Sequence, residues 1–230
     1  MKNATFLTEM YSGTEKQLWT PLVHEFLCRQ RPVRIPVCRC IGTPPRDGPW
    51  YEEVGYITFD GTILREPRPM DFLQQIGGEF GLNLVGDPIR RSERGDLAYI
   101  GPDILTILPS RQGVYLVENK PYDNSILDGN QVAEGAYVLF ACRLRDLGIP
   151  CKYLVIHSRG CSANLYGQVK AVQDKFAERE EWRDGFGVVL LEHLFREMGN
   201  CGFTYPPITE KWIDFSDTGG DVAEETARTA

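Results

Sequence analysis

The chain has 230 residues, 42% of them hydrophobic and 25% charged, with a formal charge of −7. That length suffices for one sizeable domain burying its own core, while the lack of any apolar run near the ~18 residues of a membrane helix excludes a membrane span. The negative charge excludes a protein that coats nucleic acid by bulk electrostatics, and seven scattered cysteines, an odd number, exclude a disulfide framework and a C-x-x-C metal pair.

The first residues, "MKNATFLTEMYSGTEKQ", are too polar for a signal peptide, so the expected location is the cytoplasm. Residues 14–30 have the spacing of a short amphipathic helix. The strand-like runs "VRIPVCRCIG" and "WYEEVGYITFDGTILRE" follow, the second pivoting on Asp60-Gly61, a dipeptide typical of two-residue hairpin turns. Cys38 and Cys40 read as alternating strand residues. From Pro69, Phe72, Ile76 and Phe80 recur four apart and Gly81 ends the pattern, which predicts a helix carrying Glu79 on its inward face. "GDLAYI", "DILTIL" and "VYLVEN" predict three short strands. A second helix is expected over about 128–147, "CKYLVIHS" as the next strand, and a further helix over about 165–181. From Glu210 six acids face only Lys211 and Arg228, and the end of the chain, 219–230, reads as a disordered acidic tail.

One stretch carries the chemistry. In "GPDILTILPSRQGVYLVENK" two apolar runs flank "PSRQG". Folded back as an antiparallel hairpin, they bring Asp103 to Glu118 and Lys120 at the open end. Period-two alternation sends Glu118 and Lys120 to one face and Asn119 to the other. Two carboxylates about 4 Å apart repel by roughly 4 kcal/mol at an effective dielectric of 20, so a fold tolerates them most easily around a cation. Asp103, Glu118 and the main-chain carbonyl of Asn119 offer oxygen only, which suits Mg²⁺ or Mn²⁺. Asp96, at the start of the preceding predicted strand, is the rival for the first acid.

Pro102-Asp103 followed by Glu118-Asn119-Lys120, within the order helix, three strands, helix, strand, resembles the PD-(D/E)xK nuclease superfamily. The likeness covers about residues 69–158 and is greatest to its VRR-NUC and Holliday-junction-resolvase-like branch. It implies an α/β fold with a restriction-endonuclease-like core, a mixed sheet flanked by helices. On that likeness residues 1–218 form a single domain, with 1–68 a β-rich N-terminal elaboration, 69–158 the core and 159–218 a C-terminal extension. It implies a metal-dependent nuclease cleaving DNA, with Asp103 and Glu118 holding the ion and Lys120 orienting the attacking water. Glu79 would be an auxiliary ligand, Gln131 a support from the second helix, and Arg90, Arg91 and Arg94 would grip the phosphate backbone; a homodimer would cut both strands. The other class of reading is a nuclease-like fold serving as a binding module, which the acidic charge favours.

Overall fold

A computed structural model describes residues 19–42, 50–84, 91–92, 95–96, 100–121, 125–205 and 213–214. Helix α1 (Thr20–Arg29) has a proline in its first turn, and buries Leu22, Val23, Phe26 and Leu27, the one-sided stripe of an amphipathic helix. Strands β1 (Val33–Cys40), β2 (Tyr51–Phe59) and β3 (Thr62–Arg65) precede α2 (Pro69–Phe80), which ends at Gly81 in the left-handed conformation. A two-residue ribbon, β4 (Arg91–Ser92) and β5 (Gly95–Asp96), leads to β6 (Ile104–Ile107), a 3₁₀ turn (Pro109–Arg111) and β7 (Val114–Lys120). Then come α3 (Ala136–Asp146), β8 (Cys151–His157), α4 (Ala163–Ala177), a 3₁₀ segment (Glu180–Gly185), β9 (Phe186–Leu190), α5 (Leu191–Asn200), and the paired β10 (Thr204–Tyr205) and β11 (Ile213–Asp214).

The main sheet is mixed and seven-stranded, in the order β2-β1-β9-β8-β7-β6-β3. β7, β8 and β9 run parallel because α3 and α4 return the chain between them; the other pairs are antiparallel. Helices cover both faces. On one, Phe72 and Ile76 of α2, Tyr137 and Phe140 of α3 and Val169 of α4 pack on Leu105, Leu116, Tyr153 and Val155. On the other, Leu22 and Phe26 of α1 and Leu194 and Met198 of α5 pack on Ile104, Val117, Leu154 and Ile156. Burial on both faces explains why all seven residues of β7 are buried, Glu118, Asn119 and Lys120 among them.

Four sequence expectations change. Asp60-Gly61 does not close a hairpin: β2 pairs with β1, β3 pairs with β6, and the two lie at opposite edges of the sheet. A bulge interrupts the β1–β2 register at Val37/Cys38, and Phe59 at the end of β2 lies 5.5 Å from the Tyr115 ring of β7. Gly95–Asp96 pairs with Arg91–Ser92 in a separate ribbon instead of joining the sheet beside β6, where β3 sits. The second helix begins at Ala136, not near 128; the preceding turn is so tight that a Cβ on Gly135 would strike Asn130 O, and Tyr137 N–H donates to that carbonyl at 3.0 Å. Glu79 lies at the wrong end of α2, as described below. The expected tail, 219–230, lies outside the described residues, and no described helix is long and apolar enough to cross a membrane.

Gly61 has φ +80°, and a Cβ there would run into Ile107 O of the neighbouring strand. Gly61→Ala is therefore expected to cost about 2 kcal/mol in urea unfolding, through left-handed strain plus displacement of β3 from β6. An unchanged midpoint would show that this edge yields freely.

Candidate functional site

The β6–β7 register fixes the site. Ile104 pairs with Val117, so the next pair outward is Asp103 and Glu118. Asp103 is held in place twice: its main-chain carbonyl accepts from Glu66 N–H at 2.9 Å, and its Oδ2 accepts from Asn119 N–H at 2.8 Å. In an extended strand a residue's N–H and C=O point to the same side, so the Asn119 carbonyl faces the Asp103 edge too. The Asn119 side chain goes to the opposite face, where Nδ2 donates to Thr20 Oγ1 at 3.1 Å.

Glu118 and Lys120 share the face covered by α2, α3 and α4, with Lys120 Nζ 3.9 Å from Glu118 Oε2. Exposure is 3% for Asp103, 2% for Glu118 and 8% for Lys120, too little for these to be ordinary surface charges. Bringing two carboxyl groups and one amine into the core carries a desolvation cost. Gln131 offsets part of the cost: from the turn before α3, its Nε2 donates to Glu118 Oε2 at 2.7 Å, while its own Oε1 accepts from Asp128 N–H at 3.2 Å. Gln131 thus reaches Glu118 from a turn and not from the expected helix.

Two tyrosines that sequence reading missed complete the surroundings. The Tyr137 hydroxyl accepts from Gly101 N–H at 3.1 Å, near Glu118. Burial, and next the Glu118 charge, hold it far above its ordinary pKa, so it stays protonated and can donate. Tyr153, fully buried on β8, donates to Gln131 O at 3.2 Å, and burial followed by the charges around it, those of Glu118 and Asp103 included, raises its pKa well above the usual value. Both carboxylates therefore act on the same pair of hydroxyls. Tyr137 could be suspected only from its nearness to Gln131 in sequence; Tyr153 gives no signal until the β7–β8 register is known.

Glu79 does not join. It sits at the closed end of the hairpin, where its Oε1 accepts from Arg111 N–H at 3.2 Å and its carbonyl from Arg111 Nε at 3.0 Å. The helix starts near Asp103 and runs away from it, so its last turn cannot reach the acids. Asp96 and Arg91 belong to the small ribbon, whose side chains, like Arg90 and Arg94 entirely, lie outside the described residues. His157 pairs with Lys120 in the parallel ladder but is completely buried, with Nδ1 2.9 Å from Ser158 O. Cys161 Sγ contacts the Tyr51 hydroxyl at 3.3 Å. All seven cysteines are free.

Among the described residues no three His, Cys, Asp or Glu side chains gather as a metal cage. The donor set is instead two carboxylates and a main-chain carbonyl, which fits a hard divalent ion that keeps several waters and completes its shell with phosphate oxygens. No protein-family model, curated protein or solved structure matches the chain.

Proposed function

We propose that this chain is a metal-dependent nuclease of the PD-(D/E)xK type, with a restriction-endonuclease-like core, that hydrolyses DNA phosphodiester bonds. The observation that carries the reading is the burial of Asp103 and Glu118 side by side at the open end of the hairpin, with Lys120 against Glu118. Such a pairing is costly and is most easily explained by a cation. Asp103, Glu118 and the Asn119 carbonyl would hold Mg²⁺ or Mn²⁺, which when bound makes a water acidic enough to attack at neutral pH. Lys120, next to Glu118, would orient that water and offset the charge that develops on the phosphoryl oxygens. Gln131 fixes the Glu118 carboxylate in one orientation. A homodimer would supply the two sites needed to cut both strands.

The burial of the acids together with the charge of −7 favours a second reading, a nuclease-like fold that binds a protein partner without catalysis. Incubation with supercoiled plasmid and with circular and linear single-stranded DNA, in Mg²⁺ or Mn²⁺, separates the two. Cleavage by the wild type that Lys120→Ala reduces by about 10²-fold or more is the expected result. Wild-type protein that binds Mn²⁺ and leaves every DNA intact would move the weight to the binding module or to RNA.

A further inference from the structure

We infer that Tyr153 and Gln168 are positioning residues: from β8 and α4 they clamp the turn that carries Gln131, and so hold its carboxamide on the Glu118 carboxylate. The inference rests on the nuclease reading for what a positioned Glu118 does, while the clamp itself consists of hydrogen bonds. Gln131 Nε2 donates to Glu118 Oε2 at 2.7 Å and its Oε1 accepts from Asp128 N–H at 3.2 Å, so both ends of the amide are engaged. Turned over, the amide would set its oxygen against the carboxylate and its NH₂ against an N–H, so one orientation is favoured. The side chain keeps that orientation only while its main chain stays in place.

That main chain lacks the bond a helix would give it. In an α-helix Gly135 N–H would donate to Gln131 O; here it donates to Val132 O, at 2.7 Å, and the helix begins only at Ala136. Gln131 is 5% exposed, so its carbonyl needs a donor from within the protein. The Tyr153 hydroxyl supplies one at 3.2 Å, from a fully buried ring set between those of Tyr137 and Phe186, each with its centroid 5.8 Å away. At the entrance to the turn Leu127 is gripped from α4: its N–H donates to Gln168 Oε1 at 2.9 Å, and its carbonyl accepts from Gln168 Nε2 at 3.2 Å. One amide meeting a residue's N–H and C=O together reproduces the pairing that a neighbouring strand would offer. Tyr153 thus fixes the turn at Gln131 and Gln168 fixes its entrance, and both act on Glu118 through Gln131.

Tyr153→Phe removes the hydroxyl and keeps the ring; Gln168→Leu removes the grip on Leu127 from a half-buried position. Each is expected to weaken Mn²⁺ affinity about 10-fold by calorimetry and to lower kcat comparably. KM for DNA should stay within about twofold, because both residues act through Gln131 and not on the substrate. α4 supplies a matched comparison in Gln173, which makes the same two-way grip on Cys40, accepting from its N–H at 2.7 Å and donating to its carbonyl at 3.1 Å. Gln173→Leu should lower thermal stability much as Gln168→Leu does and leave Mn²⁺ affinity alone. Wild-type affinity in either Tyr153→Phe or Gln168→Leu would overturn the inference, as would an equal loss in Gln173→Leu. Amide hydrogen exchange without metal distinguishes this from failure of the nuclease reading. The Gln131 N–H, which donates to Asp128 O at 2.9 Å, should exchange at least about 10-fold faster in both variants even if the wild type neither binds metal nor cuts DNA, and unchanged exchange in either would sink the positioning role by itself.

Discussion

Glu118→Gln is expected to abolish Mn²⁺ binding, slow DNA cleavage by about 10³-fold, and at the same time raise the thermal midpoint measured in EDTA. The two effects have one cause. Glu118 is a buried carboxylate set beside a second one, Asp103, the next pair outward across the hairpin. Without a metal ion two adjacent carboxylates repel, so neutralising one relieves the fold by about 1 kcal/mol. The glutamine is nearly isosteric, and its side-chain oxygen can still accept from Gln131 Nε2, so shape and packing change little. With metal present the ordering reverses, because only the wild type gains stability from binding the ion. Differential scanning calorimetry of both proteins, with EDTA and with Mn²⁺, reads all four states. A variant less stable than wild type in EDTA would mean that Glu118 is chiefly a structural partner of Lys120 and Gln131, and would undercut the metal site.

Acidification should destabilise the protein well before its carboxylates are fully protonated. Burial lowers the pKa of His157 to about 4, against only a partial opposing effect from its hydrogen bond to Ser158 O. Burial likewise lowers His193 to about 4; Glu53, 3.3 Å from its Nε2, opposes this and Arg196 and Arg159 add to it. Unfolded, both titrate near 6.5. Between those values the unfolded chain holds more protons than the folded one, so stability rises with pH across the window and is lost as pH falls from about 6.5 towards 4. The histidines cost nothing further below that. A fully shifted histidine accounts for about 3 kcal/mol across the window, and His193 for less, because half-exposed Glu53 stands ready to receive its charge. Urea titrations at pH 7, 6, 5 and 4.5 should show the decline, and His157→Gln should remove roughly half of it. A flat profile, or an unaltered slope in the variant, would mean that these rings protonate without unfolding.

The hairpin was legible because its message is local. Two apolar runs of matched length around "PSRQG" allow one antiparallel register that buries both faces, and that register sets Asp103 opposite Glu118. The alternation separating Asn119 from its neighbours follows from the pleat alone. Glu79 was misplaced because periodicity reports which face of a helix is inward and not which end of the sheet the helix points to. Asp60-Gly61 announced a reversal of the chain, but a turn dipeptide does not say which strand the next one pairs with; that depended on the distant β6. Gln131 was assigned to a helix because its surroundings share the apolar spacing of α3, while the contact that unwinds them, Gly135 against Asn130, leaves no mark on that spacing. Tyr153 became part of the site only through β8 lying parallel to β7.

The pairing of β1 with β9, through Cys38 and Val188, has a bearing on how the protein is made. β1 is synthesised before all but α1, yet its second partner in the sheet, beside β2, is the last strand of that sheet to be synthesised. Until it arrives, the nascent chain presents β8 with a bare edge on the β9 side, next to the strand that carries Glu118 and Lys120. Such an edge can recruit another strand. Chains shortened before residue 186 keep every residue proposed for the chemistry and lose the strand that joins β1–β2 to the rest, so they are poor objects in which to look for activity.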